Sequence, residues 1–311
     1  NMANSTMVTE FLLLGSPDGW NMSFLYFTVF LLTYLSTLLG NLLIGTVTTA
    51  DQNLHTPMSF FLRTLSILDM CFISITVPNA CVNSLTGNRT ISVTGCATQI
   101  FLVHICACVE LLFLSIMAGD RYVAICQPLQ YHLIMNPQFC VHITLASLLS
   151  GLVYSGVHTG NSFWLSFCQS NMVHPFFCDV PSLLRLSCSD TTINKVLILL
   201  SSVVLCGGCF VFITMSYIRI FSTVLKSPNR APGKAFSTCT LHILMVSVFL
   251  SSWTVVYLRP SANSDALQDL ILCAFYTMVP PFLNPLIYSL RNKEVKEAVR
   301  RIMGRQLLSE K

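Results

Sequence analysis

The sequence predicts an all-α membrane protein, a seven-transmembrane helix bundle followed by a short amphipathic helix after the seventh span. Three observations carry this. Of 311 residues 53% are hydrophobic and only 10% charged, with a mean hydropathy of +0.68, whereas a soluble domain has about a quarter of its residues charged. Seven apolar runs, each long enough for the roughly 20 residues that cross a bilayer, alternate with short polar breaks. Lys and Arg gather in alternate breaks, as they do where one side is cytoplasmic.

The elements follow in order. Residues 1–23 form an extracellular amino-terminal segment with no basic stretch before its apolar residues, so a cleaved signal peptide is not expected. Helices are predicted at about 24–49, 58–82, 93–126, 139–163, 194–225, 233–258 and 268–290. A backbone in lipid must satisfy its own polar groups, which a long apolar run does as a helix; a barrel would show shorter, alternating segments. The breaks, such as DQNLHTP at 51–57 and SPNRAPG at 227–233, carry turn residues. With the amino terminus outside, thirteen of the 17 Lys and Arg fall on the cytoplasmic side and four, Arg89, Arg185, Lys195 and Arg259, outside. The tail 291–311 puts Val295, Val299, Ile302 and Met303 on one face among basic residues, the pattern of a helix lying on the inner leaflet. Three sequons, at Asn4, Asn21 and Asn88, lie on the predicted outer side. Asn21 is too near the first span to be a good acceptor, so Asn4 is the expected glycosylation site.

Ten of the 14 cysteines lie within predicted spans, where a thiol is a small apolar group. Cys96, Cys168, Cys178 and Cys188 lie outside or at an outer helix end. An oxidising compartment favours disulfides among them, and four cysteines allow three pairings. A metal site is disfavoured because the spacing of His174 and Cys178 fits no standard zinc pattern.

An ionisable group at bilayer depth costs roughly 2.5 to 3.5 kcal/mol and needs a reason. Asp69 and Glu110 lie mid-span in the second and third helices, where two carboxylates facing the bundle interior would share a proton or hold a cation such as sodium. Asp120 and Arg121 lie at the cytoplasmic end of the third. Neighbours on a helix point about 100° apart, so their ion pair is bent and weak, as suits a lock that opens.

These residues sit in a longer pattern. GNLLIG at Gly40–Gly45, LHTPM at Leu54–Met58, LSILD ending at Asp69, MAGDRYVAIC at Met117–Cys126, Ser216-Tyr217, KAFSTC at Lys234–Cys239 and PPFLNPLIYSLRN at Pro280–Asn292 occur in successive spans. Together they resemble the odorant receptors, a branch of the rhodopsin-like G-protein-coupled receptors, over Phe11–Met303. The resemblance implies that Asp120, Arg121 and Tyr122, with Tyr217 and His242, form the cytoplasmic switch that engages the G protein. It implies that Asn284, Pro285 and Tyr288 form a second switch on the seventh helix, and that Asp69 and Glu110 are a buried sodium or proton site. It also implies the pairings Cys96–Cys178 and Cys168–Cys188. Two positions depart from the family pattern: Gly119 stands where Tyr is usual before Asp-Arg-Tyr, and Leu241 where a small Ser is usual.

The outer half of the third span, IFLVHICACVELL, has no acid before Glu110, which argues against a biogenic amine, and the seventh span has no Lys for a retinal Schiff base. An apolar pocket with few polar handles suits a small, mostly neutral volatile molecule. By position in the resembled family its walls are Val103, His104, Ala107, Cys108 and Leu111 from the third span, Ser201 and Leu205 from the fifth, Trp253, Thr254 and Tyr257 from the sixth, and Ala274 and Thr277 from the seventh. His104 would donate to an aldehyde, ketone or ester oxygen. Arg259 could meet a carboxylate ligand but reads better as a snorkelling residue.

The partners implied are an odorant, a stimulatory, olfactory-type G protein that raises cyclic AMP, and membrane lipid; nucleic acid and a cofactor other than sodium are not expected. No internal repeat supports a transporter, and the scattered His55, His132, His142, His158 and His242 do not form the H-E-x-x-H of an intramembrane hydrolase. The alternative is a rhodopsin-like receptor for a non-odorant metabolite outside the nose.

Overall fold

The computed structural model describes residues 10–13, 20–51, 56–86, 90–167, 172–173, 177–226, 239–240, 242–251, 275, 277–285 and 297. Among these, five helices are long and apolar enough to cross a membrane. The first span is Trp20–Ala50, the second Pro57–Thr86, the third Val93–Cys126 and the fourth Pro137–Phe163. The fifth, Thr192–Lys226, joins Thr192–Ser202 to Gly208–Lys226 through a π-helical turn at Val203–Gly207. Helical residues at His242–Ser251 and 277–285 belong to the sixth and seventh predicted spans.

Local chemistry sets the helix starts. Ser92 accepts from the Gly95 N–H at 3.0 Å and begins the third span; Asn136 accepts from the Phe139 N–H at 2.8 Å and begins the fourth, with Pro137 where a missing N–H costs nothing. Pro78 lies inside the second span, where it removes one helical hydrogen bond.

The third span is the hub. Its most apolar window is 72% buried, against 22% for the first and fourth, and it packs on the second, fourth and fifth. Close approach to the fourth requires Gly151, where an added Cβ would meet Val109 Cγ2 at 2.7 Å. The largest apolar cluster joins Ile44, Phe61, Leu65, Val109, Phe113, Met117, Tyr217 and Val246 across five spans. Leucines and valines such as Leu39, Leu149 and Val211 point outward, as they must in a bundle whose solvent on that side is lipid.

One feature of the outer end departs from an all-helical expectation. Strands β1 (Glu10–Leu13), β2 (Thr90–Ser92) and β3 (Met172–Val173) form a small sheet in the order β2-β1-β3, antiparallel then parallel. Phe11 and Leu13 face inward onto Cys96, Ile100, Cys178 and Leu183. Residues 10–13 are therefore tied down by their alternate apolar side chains, Phe11 and Leu13. A short helix, Val180–Leu186, capped by Asp179 at 3.2 Å to the Ser182 N–H, was likewise not foreseen in the second outer loop.

Candidate functional site

Cys96 and Cys178 form a disulfide, Cα atoms 5.4 Å apart, that fastens the second outer loop to the start of the third span. Gln99, one turn further in, reinforces it: its amide donates to the Ile75 carbonyl at 3.0 Å and accepts from the Cys178 N–H at 2.9 Å. Cys188 is also disulfide-bonded; its expected partner Cys168 lies outside the described residues, as does Asn4.

Below this lid, Val103, Ala107 and Leu111 recur at helical spacing on one face of the third span, packed in a single apolar cluster with Phe72 and Phe249 and, less enclosed, with Leu205 and Leu250. Leu205 sits in the π-helical turn of the fifth span, a distortion frequent at functional sites. Cys108 is buried and lies near Cys206 and Cys209. Thr277 is buried on the seventh span, while Trp253, Thr254, Tyr257 and Ala274 lie outside the described residues.

His104 takes a place other than the one expected for a donor. Its Nδ1 lies 2.8 Å from the Ile100 carbonyl, which only accepts, so Nδ1 carries a proton and Nε2 of the neutral ring is an acceptor. Donation to a ligand carbonyl would have to come from an imidazolium. The ring is stacked on His158, centroids 6.0 Å apart, beside Tyr154. His158 Nε2 in turn meets Ser201 Oγ at 2.9 Å, and Ser201 also donates to the Ile198 carbonyl at 3.0 Å. Ser201 thus joins the fourth and fifth spans. Sequence reasoning passed over Tyr154 and His158, although His158, an imidazole within an apolar run, was a signal.

Deeper still, the two carboxylates meet. Asp69 is 0% exposed, and Glu110 and Asn284 each 2%. The Asn284 Nδ2 lies 3.0 Å from both oxygens of Asp69 and 3.1 Å from Glu110 Oε1. Asn284, expected in the seventh-helix switch, therefore bridges the acid pair and joins the second, third and seventh spans. One amide has two protons for three acceptors, and its own Oδ1 is buried without a hydrogen-bond partner. Nearby, Asn41 donates to the Pro281 carbonyl at 3.1 Å. Gly40 lets the first span close on Pro285, since a Cβ there would lie 3.1 Å from the proline ring. Two carboxylates and an unpartnered amide oxygen are hard oxygen donors that fit a cation such as sodium; among the described residues no group of three His, Cys, Asp or Glu could hold a transition metal.

At the far end of the third span Asp120 and Arg121 turn to different partners. Asp120, buried, accepts a 2.9 Å hydrogen bond from the hydroxyl of Tyr131, the first residue of the short helix Tyr131–Ile134 that follows the third span. Arg121 lies beside the Tyr217 hydroxyl, which is hydrogen-bonded to His242 Nδ1, so the third, fifth and sixth spans meet there. Tyr131 was missed because nothing in QPLQYH marks one loop tyrosine. Gly119 faces Phe212, whose ring edge would lie 3.4 Å from an added Cβ. Tyr122 is half-buried against the inner core, and Tyr288 lies outside the described residues.

A family model described as olfactory receptor matches residues 30–306. The chain belongs to the olfactory receptor family. Among curated proteins it is 60% identical to human olfactory receptor 14C36 over 310 residues, 99% of each chain. It is 48% identical to human olfactory receptor 14A16, over 96% of each, and 43% identical to mouse olfactory receptor 5AP2, over 96% of this chain and 95% of that one. As an olfactory receptor it is a multi-pass plasma-membrane receptor rather than an enzyme, of a family that senses odorants and couples to G proteins.

Proposed function

We propose that this olfactory receptor binds small, mostly neutral volatile molecules against the apolar wall of Val103, Ala107, Leu111 and Leu205, with Trp253, Thr254, Tyr257, Ala274 and Thr277 completing the pocket. The bound receptor activates a stimulatory, olfactory-type G protein and raises cyclic AMP. One observation supports this above the rest: Leu111 of that wall adjoins Glu110, whose carboxyl is bridged by Asn284 to Asp69, so a ligand touching the third span acts directly on the buried polar network. Further along the same helix Arg121 meets Tyr217 and His242. Displacement of the sixth span would break the Tyr217–His242 bond and release Arg121 towards the G protein.

The amino terminus is extracellular and the carboxyl terminus cytoplasmic in this reading, supported by the excess of Lys and Arg on one side. Asp69 and Glu110, with the Asn284 amide, hold a sodium ion or share a proton; sodium bound there would offset one of the two negative charges, the second acid keeping its proton, and would brace three spans. The test is cyclic AMP output in cells carrying an olfactory-type G protein, with a panel of neutral and acidic volatiles. A response from the wild type that vanishes in Arg121→Ala at equal surface level is expected; a response that survives in the mutant overturns the switch.

A further inference from the structure

A cavity of about 530 Å³ lies at the same end of the bundle as Asp120, far from the odorant wall, between the start of the second span, the loop after the third and the start of the fourth. Phe60, Met135, Cys140 and Val141 give it apolar walls, and Arg63 and His132 stand at its polar side. The Arg63 guanidinium lies 5.7 Å from the centroid of the Phe60 ring, and among the described residues no carboxylate is paired with it. Val141 is 47% exposed and begins the stripe of Leu145, Leu149, Leu152 and Val153 that faces outward along the fourth span. The cavity is thus reached from the hydrocarbon side, and a cation stands where a membrane-bound molecule carries its head.

We propose that this cavity is a binding site for an anionic amphiphile of the membrane, its oxyanion on Arg63 and its hydrocarbon chain along Phe60, Cys140 and Val141. The volume falls within the range of small-molecule sites and suits one chain rather than a folded peptide. Tyr131 also lines the cavity while its hydroxyl holds Asp120, so the occupant touches the residue that positions the acid of the switch. Burial and the neighbouring Asp120 carboxylate push the Tyr131 phenol up from its ordinary range, which keeps it a donor. The inner-leaflet source of the amphiphile rests on the orientation proposed above; occupancy of the cavity does not.

The test is photolabelling of the full chain in phosphatidylcholine nanodiscs with a diazirine-bearing palmitate, followed by peptide mapping. Label on residues 57–63 and 135–141 together is expected, with labelling reduced about tenfold by Arg63→Gln, the loss of one charge-assisted bond, and retained by Arg63→Lys. Val141→Trp, which fills the mouth from the lipid side, should block labelling without touching the cation. Competition by unlabelled palmitate alone identifies a free fatty carboxylate as the natural chemistry; competition by nanodiscs containing phosphatidylserine identifies a phospholipid head. Label spread evenly along residues 145–157, or unchanged in both Arg63→Gln and Val141→Trp with the Cys96–Cys178 disulfide intact, overturns the site. Since the readout is covalent label and not cyclic AMP, its failure is separable from failure of the odorant reading.

Discussion

Single hydrogen bonds divide the labour at the Asp120 end of the third span. Asp120 bonds Tyr131 while Arg121 lies against Tyr217, so the two adjacent charges of Asp120-Arg121 are held by different elements. A hydrogen bond to a charged group contributes about 1.5 to 3 kcal/mol. In Tyr131→Phe the Asp120 carboxylate loses its donor and turns to Arg121, tightening the pair. Odorant-driven cyclic AMP should then fall about tenfold at unchanged surface level; an unchanged response would show that Tyr131 bears no part of the switch. Deeper in the bundle, Glu110→Gln leaves Asn284 bridging one carboxylate and one amide. In membranes, replacing sodium by choline should change G-protein nucleotide exchange in the wild type and leave Glu110→Gln unaffected. Equal sensitivity of both would remove sodium from the site.

At the scale of elements, contact between helices is decided by small residues and by turns. The added Cβ at Gly151 meets Val109 Cγ2 at 2.7 Å, and Val109 is fully buried, so the clash has little room to relax. Overpacking of this kind costs about 1 to 3 kcal/mol; Gly151→Val should cut surface delivery severalfold, measured by antibody staining, whereas Gly156→Val, with nothing within 4 Å, should leave it near normal. That the chain carries long apolar helices was legible from hydropathy, and five of them are seen among the described residues; the caps at Ser92 and Asn136 and the Pro137 start were not singled out in the sequence. The outer sheet was not legible either: Glu10–Leu13 is a four-residue strand, too short to reveal alternation, and it exists only because residues 90–92 and 172–173 supply partners. The π-helical turn at Val203–Gly207 was also hidden, since hydropathy is the same for either helix.

For the whole molecule, the outer lid is held by covalent and hydrogen-bonded ties to the third span. Cys96→Ser removes the tie between that span and residue 178 and leaves Gln99 and the sheet to hold the loop. Loss of a native disulfide costs about 2 to 5 kcal/mol, and Cys96→Ser should be retained inside the cell, read as a loss of surface staining; normal delivery would mean that the sheet suffices. Hydropathy and the order of the motifs marked the chain as a helical membrane receptor and singled out Asp69, Glu110, Asp120 and Arg121, because bilayer burial penalises a charge that has no partner. What those residues do to one another depends on the packed bundle. Asn284 joins Asp69 and Glu110 across 215 and 174 positions of sequence, His104 turns its proton back to its own helix, and Arg63 shares a cavity with Tyr131 and Val141 from beyond the third span. Such pairings depend on how the helices rotate and pack against each other, and hydropathy along one chain carries no record of that.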